Sequence, residues 1–373
     1  MTPEVVVAGH ICLDVIPELP TNTPAASLLT PGKLTVVGPA AVSTGGAVAN
    51  TGLALHKLGT AVRLVGKVGE DPLGAALLDV LRRISAPLAE GMIVAPGESS
   101  SYTVVMNLPG ADRAFLHHPG ANDTFAPQDL KDEHLRGARW FHFGYPPLMR
   151  GMRAGDGDAL RALFQQAKAQ GLHTSLDMAY VDPASDAAET NWPLLLEKVL
   201  PHVDVFLPSL DEIAYMFGVS LEGGITPSAI RDIAARLIAL GTGMAALKLG
   251  HHGLYLRTAD DARRLTGFDA AQWTGRELYT PCFQVTEAGA TGSGDCTIAG
   301  FIAGALRGLP PAEVILGAAG TGACCVERPD ATSGIIPWAA LQDRIAGGWQ
   351  QHAGTLTFPG MAHDTRTGVW QTT

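Results

Sequence analysis

The run Gly289-Ala290-Thr291-Gly292-Ser293-Gly294-Asp295 opens directly into an apolar stretch from Cys296 to Leu306. Glycines where a loop enters a helix let the backbone approach a ligand closely. The free N–H groups of the first helical turn point outward, so the pattern predicts an anion site, most often for phosphate. The spacing imitates the G-x-x-x-x-G of a P-loop, but Asp295 and Cys296 stand where that motif has Lys and Ser/Thr. A carboxylate beside a phosphate cradle repels the phosphate, so it needs another purpose. Accepting the proton of an attacking hydroxyl is one. Simple preference for an acid in the first turn of a helix is the other, and the loop alone leaves the two even.

A second cluster, Gly45-Gly46-Ala47-Val48-Ala49-Asn50, opens a helix of small residues. Paired glycines expose backbone amides, and the Asn50 amide both donates and accepts, as a hydroxyl-rich ligand requires. Tight packing of small residues on a sheet is the competing explanation. Asp14 follows the first strand, where open α/β sheets place their ligands, although a solvated loop aspartate is the commoner case. Arg113, His117, His118 and Asn122 cluster in or just after a β-hairpin and could meet a sugar hydroxyl or a phosphate; surface polarity explains them equally well. Tyr145 and Asp177 each follow a core strand. The first is a candidate to stack on a sugar or base, the second a supporting or phosphate-side carboxylate.

These residues need elements to hold them. Val5–Ala8 and Ala61–Val68 predict buried strands, and Leu73–Ile84 an amphipathic helix. Ser101–Leu108 and Arg113–His118 alternate around Pro109-Gly110-Ala111-Asp112, a hairpin signal. From Trp140 onward strands and helices alternate: strands at Trp140–Phe143, His173–Asp177, Val203–Leu207 and Met244–Lys248, helices at Leu160–Gln170, Trp192–Leu200, Leu210–Phe217 and Ser228–Leu240. Such alternation predicts a mainly parallel sheet covered on both faces, with the early hairpins forming a small β appendage. Residues 346–373 lose periodicity and predict a loosely packed tail.

Composition narrows the function. The chain has 373 residues, 46% hydrophobic and 17% charged, a globular balance. With 26 Lys+Arg against 36 Asp+Glu the formal net charge is -10, and no basic run occurs, which makes the chain a poor candidate for nucleic-acid binding through phosphate electrostatics and disfavours anionic membranes. No stretch reaches the ~18–20 apolar residues that span a bilayer, and the first residues, MTPEVVVAGHICLD, lack a basic leader pattern. Five cysteines without C-x-x-C spacing predict reduced thiols and a cytoplasmic location, with the adjacent Cys324 and Cys325 as small core residues. GHICLD after the first strand is not G-x-G-x-x-G, which disfavours a dinucleotide-binding dehydrogenase.

Taken in order, four segments resemble the ribokinase-like (PfkB) carbohydrate kinase family. Gly9 and Asp14 resemble its opening. GGAVANTGLALHKLG (Gly45 to Gly59) with GKVGEDPLG (Gly66 to Gly74) is similar to its first signature. Lys248-Leu249-Gly250-His251-His252-Gly253 is similar to its K-x-G-x-x-G segment, and ATGSGDCTIAGFIAGAL (Ala290 to Leu306) to its second signature. The resemblance implies one ribokinase-like three-layer α/β/α domain over residues 1–345, with lid segments near 12–43 and 95–120. It implies transfer of the γ-phosphate of ATP, with Mg²⁺, to a hydroxyl of a small sugar-like substrate. Asp295 is then the base, and the amides of Gly292, Ser293 and Gly294 form the anion hole. Asp14, Gly45, Gly46 and Asn50 hold substrate hydroxyls. Lys248, Gly250, Gly253 and Ser209 border the nucleotide, and Glu212 holds Mg²⁺ through water. Two positions depart from the family: Ser209 replaces the Asn of its N-x-x-E segment, and Gly289 replaces an Asp linked to a monovalent-cation site. A nucleoside kinase of the same fold and a non-catalytic sugar- or nucleotide-binding regulator are the alternatives, and lid strands of this kind can pair two copies into a homodimer.

Overall fold

A computed structural model describes residues 2–20, 28, 30–108, 114–354 and 356–372. The apolar run VVVAG forms β1 (Val5–Gly9), buried along its whole length. β2 (Cys12–Pro17) and β3 (Ala40–Gly45) follow, then β4 (Val62–Val65), β5 (Lys67–Gly69) and β6 (Ile93–Ala95), then β7 (Tyr102–Met106) and β8 (Ala114–His118). The second half supplies β9 (Trp140–Gly144), β10 (His173–Leu176), β11 (Val205–Phe206), β12 (Met244–Lys248), β13 (Leu254–Thr258), β14 (Glu277–Thr280), β15 (Met361–Asp364) and β16 (Val369–Thr372).

Among the described residues the central sheet has ten strands, in the order β15-β16-β14-β13-β12-β11-β10-β9-β1-β4. From β4 to β12 every neighbouring pair is parallel; β12, β13, β14, β16 and β15 then continue antiparallel. Successive side chains of β1 serve opposite layers, as the two-residue period of a strand requires. Val5 and Val7 pack with helices Ala47–Lys57, Pro72–Ile84, Ser293–Leu306 and Pro311–Val326. Val6 and Ala8 pack with Arg150–Ala169, Trp192–Val199, Leu210–Phe217 and Pro227–Leu240. The result is the three-layer α/β/α arrangement with a mixed sheet.

The lid is a separate four-stranded sheet, β3-β2-β7-β8. Its register aligns Ser43, Asp14, Thr103 and His117 across the four strands, and Val42, Val15, Val104 and Leu116 across the next row. The first row is polar and points to one face; the second is apolar and points to the other. The turn expected at 109–112 and Arg113 lie outside the described residues.

Two expectations need correction. The single strand expected over 61–68 is divided: β4 belongs to the central sheet, whereas β5 pairs with β6 in a small sheet of its own. The break is at Gly66, where a Cβ would lie 2.8 Å from Ile11 Cγ2, so the chain bends around that core side chain. Nor do the last residues form a loose tail. β16 pairs with β14, and β15 covers its outer edge. Val369, Leu356 and Phe358 are buried, the last stacked on Tyr255. Two four-residue strands carrying MAHD and VWQT are too short and too polar to show periodicity, yet they close the sheet.

Candidate active site

In a parallel sheet the residues just past each strand's C-terminal end gather along one edge. Here those residues are His10 after β1, Tyr145 after β9, Asp177 after β10, Ser209 beyond β11, and Lys248 at the end of β12. The Ser293–Leu306 helix points its N-terminus at the same edge, and between them is a cavity of about 630 Å³. Tyr145, Asp177, Ser209, Glu212, Lys248, Gly250, Gly253 and Gly292 to Asp295 all line it. Its far wall is apolar, built from Leu254, Phe283, Val285, Ala319, Ala323 and Val326.

Gly292 caps the helix in the left-handed region (φ 76), and a Cβ there would lie 2.5 Å from the Ala331 Cβ. Only glycine fits both the conformation and the space. Ser293 and Gly294 follow in the first turn, whose amides have no partner within the helix. The thiols beneath hold this loop: Cys325 Sγ donates to the Thr291 carbonyl (3.3 Å) and Cys296 Sγ to that of Ala331 (3.1 Å). Lys248 reaches the cradle from the opposite side, its Nζ 3.4 Å from where a Gly294 Cβ would sit.

Asp295 is buried, 2% exposed. Tyr145 donates its hydroxyl to Oδ2 (2.7 Å), Asn50 Nδ2 donates to the same oxygen (3.0 Å), and Thr51 Oγ1 to Oδ1 (3.3 Å). Burial pushes its pKa up; Lys248 and these three hydrogen bonds pull against burial, and the net shift is upward. Such a carboxylate is more basic than an exposed one. Tyr145 is itself held well above its ordinary value, by burial first and then by Asp295 and Asp177, so it stays a donor. Its backbone is left-handed (φ 68), which turns the ring back over the edge of the sheet.

Lys248 Nζ pairs with Asp177 Oδ1 at 2.7 Å. Burial alone would lower the lysine's pKa, but Asp177, Glu212 and Asp295 outweigh it and hold the ammonium protonated. Ser209, where the family has Asn, is an N-cap here. Its Oγ caps the Leu210–Phe217 helix by accepting from the Glu212 amide (3.4 Å), while Glu212 Oε2 accepts from the Ser209 amide (2.8 Å). This reciprocal capping box fixes Glu212 at the cavity wall.

The sequence-predicted residues divide into two groups. The anion loop, Lys248, Gly250, Gly253, Ser209 and Glu212 share the cavity. Asp14, Gly45 and Gly46 lie on the lid side, and Asn50 is engaged with Asp295. Gly46 (φ 85) has the His10 Nδ1 within 2.5 Å of its would-be Cβ, so packing against His10 is reason enough for a glycine. Asp14 lies over Gly45, with Oδ2 2.3 Å from that residue's would-be Cβ. Asn122 is structural: it accepts from the Ile11 amide (3.1 Å) and donates to the Ile11 carbonyl (2.9 Å). Sequence reasoning missed Thr51 and His10. The first adjoins Asn50, and the second is the first residue beyond β1, which was the available signal.

A helix N-terminus cradle, a buried carboxylate in its first turn and a lysine facing both define a site for phosphoryl transfer, set in a three-layer fold with a β lid. A family model described as pfkB family carbohydrate kinase matches residues 2–339, and the chain belongs to that family, whose members are phosphotransferases acting on alcohol groups. An uncharacterized sugar kinase of Archaeoglobus fulgidus is 26% identical over 283 residues, 76% of this chain and 98% of that protein. Fructokinase-2 of Oryza sativa subsp. japonica is 27% identical over 57% of this chain and 60% of its own length. Ribokinase of Arabidopsis thaliana, solved with ribose and ATP, superposes with a TM-score of 0.71 at 20% identity, covering 92% of this chain and 98% of that one. Fructokinase of Xylella fastidiosa, solved with ATP, gives 0.70 at 18% identity over 92% and 98%. Among the described residues no helix is long and apolar enough to cross a membrane.

Proposed function

We propose that the protein transfers the γ-phosphate of ATP to a hydroxyl of a small sugar or sugar derivative. The observation that carries this is Asp295: a buried carboxylate with raised pKa, one residue past the Gly292–Gly294 cradle, facing Lys248. In this reading the nucleotide lies in the 630 Å³ cavity, its base against the apolar wall and its phosphates toward the cradle. The amides of Gly292, Ser293 and Gly294 stabilise charge on the transferring group, and Lys248 supplies a fixed positive charge beside them. Asp295 accepts the proton of the attacking hydroxyl.

The oxygen donors lining the cavity suit a hard cation. Glu212, fixed by its capping box, would hold Mg²⁺ through water, and the ion supplies neutralisation of the phosphate charge when bound. The polar inner row of the lid, Ser43, Asp14, Thr103 and His117, supports a hydroxyl-bearing acceptor over an apolar one. The outer row, with Val42 49% and Leu116 55% exposed, supports pairing of two lids in a homodimer. Five free thiols suit a reducing, cytoplasmic setting. The kinase unit expected over 1–345 is extended by the C-terminal hairpin that completes the sheet.

The test is acceptor-dependent ADP release with Mg-ATP across ketoses, aldoses, sugar acids, sugar phosphates and nucleosides, with Asp295→Asn alongside. The variant is expected to lose about 10²–10⁴-fold in turnover while binding ATP as before. Activity within a few fold of the unaltered protein removes Asp295 from the role of base. Turnover on nucleosides alone moves the acceptor to that class.

A further inference from the structure

The inner face of the lid carries more than hydroxyl-binding groups. Cys12 and Asp14, two apart on β2, point to the same face, as do Thr103 on β7 and His117 on β8. His10, at the end of the central sheet, faces this row. His10 Nε2 and His117 Nε2 are 3.3 Å apart, and one ring nitrogen of each histidine and Cys12 Sγ all lie within 4.8 Å of one another.

We propose that His10, Cys12 and His117 form a site for a borderline-soft divalent cation of the Zn²⁺ class, which fastens the lid to the central sheet.

The geometry is that of ligands about a common ion. With metal–nitrogen bonds of ~2.0–2.1 Å and tetrahedral angles, two ligating nitrogens stand ~3.3–3.4 Å apart, and a nitrogen and a thiolate sulfur ~3.6 Å. The imidazole pair already has the first spacing. The second asks the sulfur to close in from a position within 4.8 Å of the nitrogens. The donor set, two imidazoles and a thiol, selects Zn²⁺, Co²⁺ or Ni²⁺ over Mg²⁺, which takes oxygens.

The surroundings fit the same role. Thr103 Oγ1 is 3.0 Å from His117 Nδ1, a contact that fixes the ring and leaves Nε2 aimed inward. The Cys12 thiol must lose its proton when a metal binds. Its Sγ donates to Asp14 Oδ1 (3.3 Å), the nearest carboxylate to it. His117 is exposed, so an ion has a route in, while His10 and Cys12 are buried at 2% and 3%. Two of the three ligands come from separate strands of the lid and one from the end of β1. An ion bound to all three therefore resists lid opening.

The test is a Co²⁺ titration of the full chain after chelator treatment, followed by absorbance. Expected is one equivalent, with tetrahedral d–d bands and a thiolate-to-Co²⁺ charge-transfer band, displaced by Zn²⁺. Cys12→Ser should abolish the charge-transfer band. His117→Gln, at an exposed position that leaves the fold intact, should weaken binding at least tenfold. Cys282→Ser should change neither. No stoichiometric binding, a spectrum without the thiolate band, or a band that survives in Cys12→Ser overturns the site. The titration needs no turnover, so its failure leaves phosphoryl transfer to an acceptor untouched, and an inactive enzyme leaves the metal result standing.

Discussion

Replacing Tyr145 with Phe removes one hydroxyl and leaves the ring in place. That hydroxyl donates to Asp295 Oδ2 at 2.7 Å, inside a site from which the carboxylate is almost entirely shielded. A hydrogen bond to a charged group contributes ~1.5–3 kcal/mol. Each pKa unit corresponds to ~1.4 kcal/mol, so its loss destabilises the carboxylate by about 1–2 units. Asn50 Nδ2 still donates to the same oxygen, which places the effect at the lower end, about one unit. The sign follows from the role. Asp295 works ionised, its pKa is raised by burial and held back by Tyr145, and removing Tyr145 raises it further. The acid limb of kcat against pH should therefore move upward by about one unit in Tyr145→Phe, with the plateau rate little changed. The assay is ADP release at saturating ATP and acceptor, so that the limb reports the enzyme–substrate complex. An acid limb that stays in place refutes either the hydrogen bond during turnover or Asp295 as the base. A limb that moves downward refutes the direction of the coupling itself.

Gly292→Val puts a β-branched side chain in the left-handed region and 2.5 Å from Ala331. The cradle must shift, and kcat should fall at least ~100-fold, the usual cost of one lost anion-hole donor; full activity would make the loop purely structural. Lys248→Met strands Asp177 without its partner, both side chains being nearly inaccessible. Urea unfolding at pH 8 should show a loss of ~3–5 kcal/mol, as for a broken buried ion pair. The deficit should shrink at lower pH as Asp177 takes up a proton, and a deficit independent of pH would assign it to lost packing.

Much of the arrangement was legible because strand ends and glycine loops carry strong local signals. The Asp295 loop declares its backbone geometry in its glycines, and the alternation after Trp140 places Tyr145, Asp177 and Lys248 at strand ends before any contact is known. What those side chains touch was not legible. Tyr145 reaches Asp295 across 150 positions of sequence, and the Lys248–Asp177 pair spans 71. No local pattern encodes such pairs; they follow from strand order, which places β9, β10 and β12 within one edge. Ser209 looked like a weakened nucleotide contact because the sequence shows only that Asn is missing. The reciprocal bonds with Glu212 give the serine a reason of its own. The C-terminal hairpin escaped notice because strands of four residues bury one side chain each at most and leave no period to detect.

Asp295 and the lid are joined through a continuous run of side chains, and this constrains how the site closes. From the base the path runs through the Tyr145 hydroxyl, then the Tyr145 and His10 rings 6.0 Å apart, then His10 and His117 at 3.3 Å, and so to Thr103 and Asp14 on the lid. Of these links, the His10–His117 contact is the one that crosses from the central sheet to the lid. Opening the lid must break the His10–His117 contact and free the ring that packs beside Tyr145. The position of Tyr145, a hydrogen-bond donor to Asp295, is thus tied to lid closure. A perturbation of His117, more than a hundred residues from Asp295 in sequence, should reach the chemistry by loosening Tyr145. The polar row Ser43, Asp14, Thr103 and His117 crosses all four lid strands, so a closed lid meets the central sheet through His117 and His10, beside the ring that donates to Asp295.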